Sequence, residues 1–168
     1  KWIKNKEFDY FIHFAAITKS NKIINKKKIN LINIVSTKKL ISSLNKIKIR
    51  KLRYFLFISS SHVYGYSKKK IKENYKRNPH NTYGESKKRI EDFIIKYRKK
   101  SFFKFGIARM FNITGIKQSP GYFIPDMLKK IKLDKKIFNI NKFRDFIHLD
   151  DAVKALELLL INRYEKPI

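Results

Sequence analysis

Apolar residues in this chain fall in two kinds of run that alternate along its length. FDYFIHFAA (8–16), LRYFLFISSS (52–61) and FFKFGIARMFN (102–112) are short, almost unbroken and rich in aromatics. Each predicts a strand buried on both faces, as in a parallel sheet. Between them the spacing changes. NLINIVSTKKLISSLNK carries apolar residues at 31, 34, 35, 41 and 44, and the stretch 83–99 carries Ile90, Phe93, Ile94 and Tyr97 at i, i+3, i+4 and i+7. Both predict helices with one apolar face. YSKKKIKENYKRNPHN (66–81) is polar and holds Pro79, so it is expected to be a loop. Further on, a short helix is expected after Pro125, an extended stretch over 138–149, and a helix over 150–162 that opens on Asp150 and Asp151, which suit its positive N-terminus. Strand, helix, strand, helix, strand describes an α/β protein with a parallel sheet. The 168 residues are enough for one domain with a sizeable core.

The formal charge of +28 points at first to nucleic acid or an anionic membrane. Two features weaken that reading. Arginine is scarce beside lysine while isoleucine, asparagine, tyrosine and phenylalanine abound, a bias that AT-rich codons impose on any protein. The lysines are also spread along the chain rather than gathered into one footprint. No nucleic-acid partner is expected, and a basic, non-catalytic binding protein is kept as the competing class. The chain has no cysteine, which removes disulfides and thiolate metal sites. The four histidines lack ligand spacing, so no metal is expected. No apolar run reaches the ~18 residues of a membrane span, and a cytoplasmic protein is expected.

The spacing Y-x-x-x-K occurs three times, as Tyr64/Lys68, Tyr66/Lys70 and Tyr83/Lys87. On a helix, residues four apart share a face. A lysine ammonium ~4 Å from a phenol favours the phenolate by roughly 4 kcal/mol at an effective dielectric of ~20. That brings a tyrosine toward the range wanted of a general acid–base. Only Tyr83 opens an amphipathic helix and follows the Asn78-Pro79 loop, so Tyr83 and Lys87 are the candidate pair.

Around this pair the chain resembles the extended short-chain dehydrogenases/reductases, the NAD-dependent epimerases and dehydratases of nucleotide sugars. NIVSTKKLI is similar to a helix opening that usually reads N-V-x-G-T, and PHNTYGESK to P-x-x-x-Y-x-x-S-K. ARMFNITG resembles R-x-x-N-x-x-G, and FRDFIHLDDAVKAL resembles R-D-[FY]-I-H-V-x-D. The resemblance implies a Rossmann-type doubly wound sheet and an enzyme that uses NAD or NADP on a nucleotide-sugar substrate. SSSHVYG matches the strand end that carries the catalytic hydroxyl, which falls on Ser60 beside Tyr83 and Lys87. Phe14, Ala15, Ala16, Ser59 and Phe111, with Tyr83 and Lys87, are implied at the cofactor. Ser60, Ser61, His62, Asn112 and Arg144 are implied at the substrate, with Arg144 suited to a diphosphate. Read as residues alone, Ser59 and Ser61 are structural hydroxyls, Phe14 and Phe111 are core aromatics, and His13 and His148 are hydrogen-bonded structural histidines. A homodimer through the helices near 33–45 and 83–98 is also implied.

The resemblance has gaps. The Gly-rich G-x-x-G-x-x-G turn is absent, and the five glycines (65, 84, 106, 115 and 121) build no pyrophosphate cradle. With Lys1 rather than methionine first, a chain truncated at both ends is expected, lacking the first strands of its fold. Its expected parts are 1–116, the remainder of the dinucleotide domain, 117–143, a substrate-binding segment, and 144–168, a returning strand and helix. Dehydratases of the family follow the catalytic hydroxyl with Asp-Glu, where this chain has Ser61 and His62. Epimerisation or reduction at hexose C4 is therefore expected ahead of 4,6-dehydration.

Overall fold

The computed structural model describes residues 6–18, 26–47, 51–136 and 144–168. Strands β1 (Tyr10–His13), β2 (Tyr54–Ser60) and β3 (Lys104–Met110) form one parallel sheet in the order β1-β2-β3. All seven residues of β2 are buried, as its unbroken apolar run predicts for a central parallel strand. Phe11, Phe55 and Phe105 stand in register across the three strands. The rings of Phe11 and Phe55 stack at 5.2 Å, and Phe55 meets Phe105 at 5.6 Å.

Three helical segments cover this aromatic face. Helix α1 (Lys26–Ile29) runs through a π-helical stretch, Asn30–Ser36, into α2 (Thr37–Ile47), and α3 (Thr82–Tyr97) lies beyond the 64–81 loop. Ile34, Ile41 and Leu44 from the first run and Ile90 and Ile94 from α3 share one buried cluster with Phe55, Phe57, Phe105 and Ile107. Each fully buried large apolar side chain contributes about 1.5–3 kcal/mol. An exposed ion pair such as Lys51–Glu7 is screened by solvent and contributes far less. The core therefore holds this unit together. Four positions depart from the regular spacing expected over 30–46. Leu31 and Val35 are exposed, whereas Asn33 and Thr37 are buried. The wider π turn re-aims the residues on either side of it.

On the opposite face, Tyr54 lies across β3 and its hydroxyl donates to the Tyr164 carbonyl at 2.5 Å. Gly106 makes this possible, because a Cβ there would run into the Tyr54 ring. Burial, with Glu165 nearby, pushes the Tyr54 phenol up to about 12. The outer edge of β3 is covered by the last residues of the chain: Ile168 N–H donates to Ile107 at 3.0 Å, and Arg109 N–H donates to Ile168 at 2.6 Å. Among the described residues β1 pairs with β2 alone.

The chain divides into two compact units, Lys1–Met110 with Leu158–Ile168, and Phe111–Glu157. In the second unit β4 (Asn112–Thr114) pairs in parallel with β5 (Phe146–His148). The run 102–112, expected as one strand, thus ends at Met110, and Asn112 belongs to a different sheet. Helix α4 (Phe123–Lys132) begins before Pro125 rather than after it. Proline is tolerated in a first turn, where its missing N–H has no intrahelical partner to lose. Helix α5 (Leu149–Asn162) opens on Asp150 and Asp151 as expected. Residues 138–143 of the expected extended stretch lie outside the described residues.

Candidate active site

The site is built where β2 ends and α3 begins. Ser60 closes β2 in an extended conformation and accepts a hydrogen bond from His62 N–H at 3.3 Å, which starts a single 3-10 turn over Ser61–Val63. Asn81 caps α3, its side-chain oxygen accepting from Gly84 N–H at 2.7 Å. Gly84 has no room for a side chain, since a Cβ would run into the His62 carbonyl. The first turn of α3, which carries Tyr83, is thereby seated directly on the 61–63 turn. The rings of Tyr83 and His62 meet edge to face at 5.6 Å.

One turn further along α3, Lys87 is buried and its Nζ donates to the Ile58 carbonyl at 2.6 Å. The ammonium lies 4.7 Å from the Phe57 ring centroid and 5.7 Å from that of Tyr83. Burial lowers its pKa to about 8, and Glu91 opposes that shift. The charge is therefore largely kept at neutral pH beside the Tyr83 ring. Of the three Y-x-x-x-K spacings, this one alone lies on a helix. Tyr64 and Tyr66 belong to the turn and loop after β2, and Tyr66 is 90% exposed and stacked on His80.

Sequence reasoning missed two elements of support. Asn33, in the π-helical stretch, accepts from Ile17 N–H at 2.9 Å and donates to the Ile17 carbonyl at 3.0 Å and to Ser86 Oγ at 3.1 Å. Ser86 Oγ in turn donates to the Tyr83 carbonyl at 2.7 Å. One amide thus ties the segment leaving β1 to the helix that carries the pair. The second element is Glu91, fully buried, whose carboxylate accepts from Ser59 Oγ (2.5 Å), Arg77 (3.0 Å) and Arg109 (2.7 and 3.1 Å). Arg109 also reaches the Tyr64 hydroxyl at 2.8 Å and the Glu73 carbonyl at 2.7 Å. An i, i+4 relation to Lys87 and an acid next to the apolar Ile90 were both visible in the sequence, but the partners lie 14 to 32 residues away.

Ser59, placed at the cofactor by the resemblance, is 2% exposed and its hydroxyl is committed to Glu91. Its side chain projects from the face of β2 opposite to that of Ser60, as alternation along a strand requires. Its hydroxyl fastens the strand to α3. Beyond β1, Phe14 and Ala15 are exposed and Ala16 is half-buried. Phe14 is therefore not a core aromatic. In the second unit Asn112 donates to the Asp145 carbonyl at 2.9 Å, tying β4 to β5, and the exposed Arg144 lies over the Phe123 ring at 4.6 Å. Phe111 is half-buried.

His13 ends β1 under Lys87 and stacks at 6.1 Å on Phe57, with Nε2 bonded to Thr37 Oγ1 at 3.0 Å. Burial and the Lys87 charge lower its pKa to about 4. The folded protein holds this ring neutral, whereas the unfolded chain protonates it near 6.5. Stability is therefore fully present above pH 6.5 and declines as pH falls toward 4, by about 3 kcal/mol in all. Urea unfolding at pH 7.5 and 4.5 is expected to show this loss, and His13→Gln to shrink it. An equal loss in both proteins would show that other groups carry the acid sensitivity.

A parallel sheet flanked by helices, with a tyrosine and a lysine one helical turn apart next to the end of its central strand, is a Rossmann-type α/β arrangement. Residues 1–167 match the model of the NAD dependent epimerase/dehydratase family, and the chain belongs to that family. Among curated proteins it is 26% identical over 162 residues to dTDP-D-glucose 4,6-dehydratase of Homo sapiens, covering 94% of this chain and 45% of that protein. To UDP-glucose 4-epimerase of Lactobacillus helveticus it is 27% identical over 180 residues, covering 95% and 54%. The crystal structure of UDP-glucuronic acid 4-epimerase from Bacillus cereus in complex with NAD superposes with a TM-score of 0.82 at 27% identity, covering 95% of this chain and 53% of that one. The chain thus spans about half the length of the relatives it matches. Among the described residues, no helix is long and apolar enough to cross a membrane.

Proposed function

We propose that this chain supplies the proton-transfer half of an NAD- or NADP-dependent enzyme that epimerises or reduces a nucleotide-activated sugar at C4. The observation that carries the reading is the seating of Tyr83 on the strand-end turn with the buried Lys87 ammonium 5.7 Å from its ring. The phenolate of Tyr83 takes the proton of the sugar hydroxyl, and the Ser60 hydroxyl hydrogen-bonds the same oxygen. Lys87 favours the phenolate electrostatically. Hydride transfer at C4 is the chemistry that NAD or NADP would supply.

The residues present fit the nicotinamide side of such a cofactor. Ala15 and Ala16 follow β1 and leave the backbone open to close approach. No glycine turn of this sequence fits the pyrophosphate. Relatives support the cofactor class, since solved structures that this chain resembles contain NAD or NADPH. For the homodimer, exposed Leu31 and Val35 on the π-helical stretch support an interface there. Arg144 and Asn112 are proposed as sugar-nucleotide contacts on the strength of the motif alone.

Ser61 and His62 in place of an acid pair favour epimerisation or reduction over dehydration, because a serine hydroxyl is too weak an acid to protonate a leaving hydroxyl. The test is incubation of the full protein with nucleotide hexoses and NAD or NADP, with products read by NMR. A C4 epimer or C4 alcohol is expected. A 4-keto-6-deoxy sugar would move the protein to the dehydratases, and no conversion of any nucleotide sugar would favour a non-catalytic protein.

A further inference from the structure

His62 is bound to the site in an unusual way for a side chain in an exposed turn. The Asn81 amide has a fixed orientation, because its oxygen accepts from Gly84 N–H at 2.7 Å. Its nitrogen therefore faces His62 Nδ1, at 2.8 Å. An amide N–H can only donate, so Nδ1 accepts and a neutral His62 ring carries its hydrogen on Nε2. Desolvation lowers the pKa of this ring, which keeps it neutral at pH 7. Among the described residues nothing is hydrogen-bonded to Nε2. The ring stands against Tyr83, and the backbone N–H of the same residue donates to Ser60 Oγ.

We propose that Asn81, the cap of α3, locks His62 in the Nε2–H tautomer, so that the protein presents a fixed N–H donor beside Tyr83 to an oxygen of the sugar. This rests on the function proposed above and names a further specificity-determining residue for it, with Asn81 as its positioning residue. A donor without an acceptor favours an oxygen that has given up its proton over a hydroxyl that must also place its own hydrogen. The locked ring therefore favours the oxidised sugar, and being neutral it has no acidic proton with which to expel a hydroxyl.

The lock can be reversed without removing the cap. Aspartate caps a helix as well as asparagine does, but in Asn81→Asp the atom facing Nδ1 becomes an acceptor. The ring then carries its hydrogen on Nδ1, or takes a second proton, and below its pKa it becomes an imidazolium. Long-range 15N–1H NMR of the full protein labelled on histidine is expected to show the Nε2–H pattern for wild-type His62 at pH 8. For Asn81→Asp it should show the Nδ1–H pattern or an imidazolium, with an unchanged unfolding midpoint. An Nδ1–H wild-type ring would overturn the lock whatever the enzyme does.

The donor role is read separately. His62→Phe keeps a ring against Tyr83 and loses the N–H, and should lower kcat/KM on the nucleotide sugar about 3- to 10-fold, the worth of one neutral hydrogen bond. His62→Gln, which keeps a donor, should stay within about twofold of wild type, and all three proteins should bind the bare nucleoside diphosphate equally. Equal kcat/KM for His62→Phe and wild type would overturn the donor role while leaving the proposed function standing. A wild-type protein that converts no nucleotide sugar would overturn both, and the tautomer signature would still decide the lock.

Discussion

Tyr83→Phe is expected to lower kcat of the full protein by about 10²- to 10⁴-fold, the usual contribution of a positioned acid–base group, while leaving binding of the nucleotide sugar intact. The phenyl ring keeps the contact with His62 and the seat on the turn, so only the ionisable oxygen is lost. Two control substitutions separate chemistry from spacing. Tyr66→Phe removes a hydroxyl from a residue that is 90% exposed and should leave activity near wild type. Tyr64→Phe removes an oxygen that accepts from Arg109 at 2.8 Å, so it should cost stability before it costs turnover. Stopped-flow or steady-state rates beside calorimetric binding of the sugar nucleotide distinguish these cases. A dead Tyr66→Phe with an active Tyr83→Phe would refute the assignment.

The second large effect concerns folding. Glu91→Gln should destabilise the protein by about 3–5 kcal/mol, because breaking a buried ion pair leaves the opposite charge without compensation. Arg109 is the residue left so, buried on β3 with its side chain 4% exposed. Urea unfolding of the full protein at pH 7.5 measures the change. A shift below about 1 kcal/mol would put this network with the surface pairs. The change also reaches the site, since Ser59, one residue from Ser60, would exchange a carboxylate partner for a neutral amide.

The sheet and α3 were legible in the sequence because burial writes itself locally. A strand covered on both faces reads as an unbroken apolar run, and Ile90 and Ile94 recur at the helical period. Tyr83 and Lys87 were legible for the same reason, as spacing on a helix converts directly into shared direction. The π-helical stretch was not, since its register depends on Asn33 reaching both Ile17 and Ser86, and neither contact has a local trace. Splitting 102–112 between two sheets was hidden because Phe111 is as apolar as the strand before it. The different surroundings of Ser59 and Ser60 were hidden for a related reason. Three consecutive serines look alike in sequence, and only the strand's alternation and a partner 32 residues away tell them apart.

The arginines around Glu91 set a limit on how far this chain's composition can drift. Across most of the surface a codon bias toward lysine changes little, because one solvated cation replaces another. At positions 77 and 109 the exchange fails. Arg109 meets the carboxylate with Nε and a terminal nitrogen while its remaining arm holds Tyr64 and the Glu73 carbonyl. Arg77 divides its two terminal nitrogens between Glu91 and Asp92. A lysine brings one ammonium where a planar fork is needed, so either exchange would strip partners from the acid or from the 64–79 loop. In a chain where lysine has spread almost everywhere, these two guanidinium groups mark places where charge alone is not enough.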